Sequence, residues 1–218
     1  DSLDDEKTHE LIKEMTARCG NGIIPTEIET KQFQFEEIPI APSSVLDKTY
    51  STLLSLSWLS LTKEHRDNLV KRGLSDAEIQ RNGYASFTVK TSERIAVKAK
   101  NANKRFNELK GAIFSYSRMK QKTSASVISG MVLASALLKR GCTLQGVPGF
   151  YKVKGTWILN LPEGMLIPTR NSGGQIVGIQ VRRDGNTNPR YLTVSANRLP
   201  CGVTTGISRA HFPLGNAP

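Results

Sequence analysis

Cysteine, histidine and carboxylate are all scarce in this chain, and each scarcity removes a class of function. The three cysteines, Cys19, Cys142 and Cys201, form no C-x-x-C pair and have no histidine cluster beside them, which argues against a disulfide framework and a zinc site and leaves reduced thiols as the expectation. His9, His65 and His211 are scattered, so each reads as a surface or packing group rather than a metal ligand. The longest apolar run, Val127 to Leu138, is broken by Ser129, Gly130 and Ser135 and is too short to span a bilayer. No signal peptide opens the chain, and a cytoplasmic protein without a membrane partner is expected. No G-x-x-x-x-G-K-[ST] loop, G-x-G-x-x-G fingerprint, H-E-x-x-H helix or G-x-S-x-G elbow is present. Beyond residue 140 the only acids are Glu163 and Asp184, too few for a two-metal carboxylate site, and Asp184 beside Gly185 reads as a turn residue.

What the chain has in excess is positive charge. Against 19 Asp and Glu stand 30 Lys and Arg, a net charge of +11 and a pI near 9.7. Residues 1–89 carry 10 bases against 15 acids, residues 90–140 carry 12 against 2, and residues 141–218 carry 8 against 2. A mildly acidic front joined to a strongly basic rear implies a polyanionic partner, nucleic acid before an anionic membrane surface. Apolar content of 38% over 218 residues is enough for a folded core. The chain opens on Asp rather than Met and closes on "LGNAP", as a piece of a longer polypeptide would.

Four segments follow from the punctuation. Residues 1–42 read as a helix from Asp4 to Ala17 followed by a proline-broken extended linker. Residues 43–89 read as helices: Ser43 or Ser44 can cap Val45 to Leu56, with Val45, Tyr50, Leu53, Leu54 and Leu56 as its stripe. Thr62 can cap "KEHRDNLVKR" before Gly73, and Ser75 with Glu78 makes a capping box on "SDAEIQRN" before Gly83. This hairpin is too weakly positive for a major-groove reader and is expected to pack instead. Residues 90–141 read as a basic helical insertion, one helix from Ser92 to Leu109 and another from Ala125 to Arg140, joined by "SYSRMKQKTSAS". Lys98, Lys100, Lys104, Arg105, Arg118, Lys120 and Lys122 lie on this stretch with few acids between them, which makes them an auxiliary nucleic-acid surface by charge alone. Residues 142–218 change to a two-residue period broken at Pro148-Gly149, Lys154-Gly155, Asn171 to Gly174 and Asp184 to Asn188, an antiparallel meander. The fold class expected is therefore α+β, a helical amino-terminal half followed by a mainly antiparallel β-meander.

Within the meander, strand alternation puts Val177, Ile179 and Val181 on the core face and Ile176, Gly178, Gln180 and Arg182 on the other. Arg170 ends the preceding strand, and Arg190 with Tyr191 begins the next. Guanidinium forks pair bidentately with phosphate oxygens and a tyrosine ring stacks on a base, so Arg170, Gln180, Arg182, Arg190 and Tyr191 together can hold a single strand. Arg183 falls on the valine side, at the rim of the sheet. The same arginines would equally serve to keep a sheet edge from pairing with other chains. Both readings stand on the residues alone.

"GMLIPTRNSGGQIVGIQVR" followed by "PRYLTVS" resembles the basic amino-terminal subdomain of bacterial DNA primase cores, over about Leu144 to His211. "YSTLLSLSWLSLTKEHRDNLVKRGLSDAEIQRNGYAS" with "GVPGFY" is similar to the region preceding it in primase-like proteins of plasmids, phages and other mobile elements. The resemblance implies that Arg182 closes the family's Val-Gly strand and that Arg190 and Tyr191 take the place of its Lys-Tyr pair, facing template phosphates or the incoming nucleotide. Gln180-Val181 stands where the family has a double glycine, and Thr193 where it has asparagine, departures that bear on nucleotide contacts more than on template contacts. It also implies a following toprim domain that binds magnesium or manganese, so that this chain binds no cofactor and carries no catalytic residue. The function so implied is holding single-stranded DNA template for a mobile-element primase, a nucleotidyltransferase. The rival is a non-enzymatic module docking a replicative helicase or polymerase through the helical front. A self-sufficient nucleotidyltransferase would need Asp4, Asp5, Glu36 and Glu37, which fall in terminal or linker segments.

Overall fold

The computed structural model describes residues 38–98, 124–196, 199 and 201–203. The helix expected from Asp4 to Ala17, the latter part of the Ser92 to Leu109 helix and the linker around Tyr116 lie outside them. Along the described chain run α1 (Ser43–Leu54), a 3-10 turn (Ser57–Leu59), α2 (Lys63–Val70), α3 (Asp76–Asn82), β1 (Ala85–Phe87), α4 (Val89–Lys98), α5 (Ser124–Lys139), β2 (Phe150–Val153), β3 (Thr156–Leu159), β4 (Gly164–Arg170), β5 (Ile176–Arg182) and β6 (Tyr191–Thr193). The class is α+β, and every strand pairing is antiparallel.

The local signals explain most helix ends. Thr62 Oγ1 accepts from His65 N–H at the start of α2, and Ser75 and Glu78 satisfy each other's backbone N–H groups at the start of α3. Gly83 then ends α3 in the left-handed region at φ 73°. Two starts differ from expectation. Pro42, not a serine, precedes α1, and its carbonyl accepts from the N–H groups of Val45 and Leu46. This phase buries Leu46, Thr49, Tyr50 and Leu53, at helical spacing, and leaves Val45 and Leu54 flanking them. Thr88 rather than Ser92 opens α4, accepting from Thr91 N–H, while Ser92 Oγ donates to Val89 O inside the helix.

The main sheet has the order β1-β4-β5-β6. The last three strands are the expected meander, but β1 arrives from the segment read as wholly helical and pairs with β4 (Ser86 opposite Met165). β2 and β3 form a separate hairpin, turned by Lys154 and Gly155 with φ of 45° and 76°, the two positive values of a type I′ turn. A bulge between Thr169 and Arg170 leaves Val177 as an extra residue opposite them, so Ile176 joins Val177 in the core instead of the outer face assigned by strict alternation.

One core face of the sheet, with Ala85, Phe87, Leu166, Ile179 and Val181, packs under α1 and α5. Tyr50, Leu133 and Leu137 are fully buried there, and the described parts of the 90–141 segment are thus built into the core. Tyr50 Oη donates to Pro148 O at 2.9 Å and its burial pushes the phenol's pKa up. Asp47 Oδ1 accepts from Ile176 N–H at 2.7 Å, which pins α1 to the start of β5 across 129 residues. On the other face Leu69 and Ile79, from the α2–α3 hairpin, cover Met165, with Leu61, Leu74, Tyr84 and Ile167 around them. The hairpin packs, as its weak charge implied.

Two outcomes are expected for stability. A Cβ on Gly130 in α5 would stand 2.4 Å from Leu159 O. Gly130→Ala, which in an open helix would stabilise by up to about 1 kcal/mol, should therefore destabilise by about 1–3 kcal/mol through overpacking. A denaturant midpoint that rises would contradict this contact. The Glu78 carboxyl is held below its ordinary pKa first by the Ser75 hydroxyl and then by the Ser75 backbone N–H. Its contribution to stability is then present above the ordinary glutamate range and lost as pH falls through the lowered value. Melting curves of wild type and Glu78→Gln should converge on acidification and separate near neutrality.

Candidate nucleic-acid interface

Antiparallel register brings one row of side chains across all four strands: Ser86 opposite Met165, Met165 opposite Arg182, and Arg182 opposite Tyr191. Two residues along, Ile167 opposes Gln180 and Gln180 opposes Thr193. Opposed strands stand about 4.8 Å apart and same-face neighbours about 7 Å apart. Gln180, Arg182, Tyr191 and Thr193 therefore occupy one corner of the sheet, on the face whose other half lies under α2 and α3. Tyr191 is 40% exposed, Thr193 is exposed and Gln180 is half-buried. Arg182 differs from the open placement that alternation implies: it is only 8% exposed, and its Nε is buried without a hydrogen-bond partner.

The remaining arginines separate. Arg170 opposes Ile176 while Arg182 opposes Met165, so the two lie at opposite ends of the β4–β5 pair, roughly 20 Å apart by strand rise. Arg170 donates from Nη1 to Gly174 O at 3.0 Å and from Nη2 to Asn82 O at 3.3 Å, tying the β4–β5 turn to the end of α3. It lies outside the corner cluster in which the sequence placed it. Arg183 is half-buried and donates weakly to Pro189 O at 3.4 Å, as suits a rim residue. Arg190 is exposed next to Tyr191. Lys98 is exposed in the last turn of α4. Lys100, Lys104, Arg105, Arg118, Lys120 and Lys122 lie outside the described residues.

The carboxylates near this corner are already engaged. Asp184 Oδ1 accepts from His65 Nε2 at 2.8 Å, and His65 Nδ1 lies 2.7 Å from Ser86 Oγ. A carboxylate can only accept, so Nε2 carries the proton to Asp184 and, in the neutral ring, Nδ1 accepts from Ser86 Oγ, which itself accepts from Thr62 N–H at 2.9 Å. Asp184 is thus an anchor as well as a bend residue, and His65, 4% exposed, is a hydrogen-bonded packing histidine. The order of groups is that of a hydrolytic triad, but Ser86 is 0% exposed and cannot meet a substrate. The chain works as a clamp holding the β5–β6 loop on α2. No local motif foretold it, because its members are 21 and 119 residues apart. Glu163 Oε1 lies 3.3 Å from Ser92 Oγ, whose single proton is shared with the nearer Val89 O. Among the described residues no group of three or more His, Cys, Asp or Glu converges, and no helix is long and apolar enough to cross a membrane.

The electrostatic result is a corner of cationic and amide groups lacking counter-ions. The His65–Asp184 contact and the Arg66–Asp76 ion pair do not involve Arg182, Arg183 or Arg190.

No protein-family model matches the chain, and no curated protein does. Solved structures with similar folds include the RNA polymerase domain of Mycobacterium tuberculosis primase DnaG, at 14% identity and TM-score 0.42 over 73% of this chain and 42% of that one. The Aquifex aeolicus primase (zinc binding and RNA polymerase domains) is similar at 14% identity and TM-score 0.37, over 88% of this chain and 36% of that one. A DnaG primase catalytic domain bound to single-stranded DNA is similar at 19% identity and TM-score 0.34, over 71% of this chain and 40% of that one. These structural neighbours are bacterial primase cores, and the chain spans about two fifths of their length.

The clamp is testable by urea denaturation. His65→Ala should cost about 1–3 kcal/mol, because Ser86 loses its buried acceptor and Asp184 its donor. Asp184→Asn should cost less than Asp184→Ala, since the amide oxygen still accepts from Nε2; equal losses would remove the hydrogen bond from the account.

Proposed function

We propose that this chain is the template-holding part of a mobile-element DNA primase, binding single-stranded DNA at the β5–β6 corner, while primer synthesis belongs to a following toprim domain with its magnesium or manganese. The observation that carries this is Arg182. Its Nε is a buried donor with no hydrogen-bond partner and, among the described residues, no carboxylate pairs with its permanent charge, so an anion held against the guanidinium would supply what the fold does not. A phosphate backbone supplies that anion, with the exposed Arg190, next to Tyr191 in the chain, as a second cation at this end of the sheet. Tyr191 offers the exposed ring on which an unstacked base can lie, and Gln180 and Thr193 offer hydrogen bonds next to it. A duplex is less well suited, because its bases are already stacked and α3 presents Asp76 and Glu78 in its first turn. The sequence resemblance to the primase subdomain points the same way, on Arg182, Arg190 and Tyr191. In this reading Gln180, Arg182, Arg190 and Tyr191 are the main surface, Arg183 rims it, and Arg170 acts at a distance by holding the β4–β5 turn.

Anisotropy of a labelled single strand across a salt series tests the proposal. Each phosphate neutralised should add about 0.7 to the log–log slope. Arg182→Gln and Arg190→Ala should each lower the slope by about that amount, and Tyr191→Ala should weaken binding by about 1–3 kcal/mol with the slope retained. A flat slope, or no loss in the double arginine variant, would overturn it. Primer synthesis by this chain alone with magnesium or manganese would overturn the assignment of the chemistry to a further domain.

A further inference from the structure

The chain's two tryptophans, Trp58 and Trp157, line the same open groove. Its walls are the 3-10 turn, the outer side of α5 and the β2–β3 hairpin; Val132, Lys139, Arg140 and Thr156 also line it, and its volume is about 640 Å³. A smaller cavity of about 90 Å³ continues from Trp58 and Val132 to Arg94 and Lys98 on α4. Among the described residues no acid lines either space. Lys152 opposes Trp157 across the hairpin, with Nζ 5.5 Å from the indole centroid. Thr156 Oγ1 is buried and has no hydrogen-bond partner. None of the residues of the arginine corner lines the groove, and α5 packs on the core side of the sheet, away from the face that carries Arg182.

We propose that this groove is a second single-strand contact, in which a nucleobase stacks against the tryptophans and the flanking phosphates meet Lys139, Arg140, Arg94 and Lys98. The volume falls within the roughly 300–1,000 Å³ of small-ligand sites, enough for one or two nucleotides. Flat aromatic surface interleaved with cations and free of acids is what an unstacked strand requires, because every base has a stackable face and every nucleotide a negative charge. Two cations are already held in place: Arg140 Nη1 donates to Ala136 O at 3.0 Å and Arg94 Nη2 to Trp58 O at 3.4 Å, which limits the entropy lost on binding. An acidic peptide would satisfy the cations but makes less use of two indoles. The inference rests on the reading of the partner as single-stranded nucleic acid.

Intrinsic tryptophan fluorescence tests it on the whole chain, titrated with oligothymidylate, with anisotropy of a labelled copy recorded in parallel. Quenching that saturates with the anisotropy signal is expected, with Trp157→Ala weakening binding about tenfold. Lys139→Ala with Arg140→Ala, at a helix end, keeps the test open if the hairpin variant misfolds, and should lower the salt slope by about 1.4. The arginine-corner variants should bind more weakly but quench to the same extent at saturation. Binding without quenching would overturn the groove and leave the arginine corner standing, whereas absence of both signals would overturn the two together. Equal quenching by polyglutamate would assign the groove to an acidic peptide and overturn the inference.

Discussion

The imidazole of His65 is the polar group on which the geometry of the arginine corner depends. It reaches Ser86 on β1 and Asp184 on the loop after β5, and its own helix is capped by Thr62, whose N–H also bonds Ser86. Front helix, edge strand and rear loop are thereby fixed to one another at a buried point. A clamp of neutral or singly charged groups with satisfied hydrogen bonds suits this position, since an unpaired polar group there would cost as much as the bond is worth. It also turns one oxygen of Asp184 toward His65. Arg182, two residues before it, is left in the sheet without a carboxylate.

The sheet divides the molecule's work between its faces. One face is closed by α1 and α5 over an apolar core, and the other is half closed by α2 and α3. Because opposed residues in an antiparallel sheet share a face, the row that is apolar at Met165 turns polar at Arg182 and Tyr191 without any change in backbone direction. The cations of α4 and α5 lie elsewhere, on helices whose inner sides are core and whose outer sides line the tryptophan groove.

Particular residues show where the sequence was legible. Thr62, Ser75 with Glu78, Gly83 and the Lys154-Gly155 turn act within a few residues of themselves, so their roles follow from local chemistry. The alternation along β5 put Gln180 and Arg182 on one side, as the register has them. The strand at Ala85–Phe87 was not visible, because three residues show no period and all three are buried. Ile176 was assigned to the wrong face because a bulge adds a residue that the pattern does not announce. Arg170 looked like a neighbour of Arg182 because both end strands, and only the antiparallel register sends those ends apart.

By itself, the sequence determined the α+β class, the caps of α2 and α3, the tight hairpin and the segregation of acid from base, because each depends on residues near in the chain or on simple counts. Tertiary structure alone decided which charges remain free. Asp184 meets His65, Glu163 meets Ser92, and Arg170 meets two backbone carbonyls, while Arg182 is buried without a partner at Nε. The reason is that pairing of polar groups is a matter of distance in space, and most of these contacts join residues 71 to 119 positions apart.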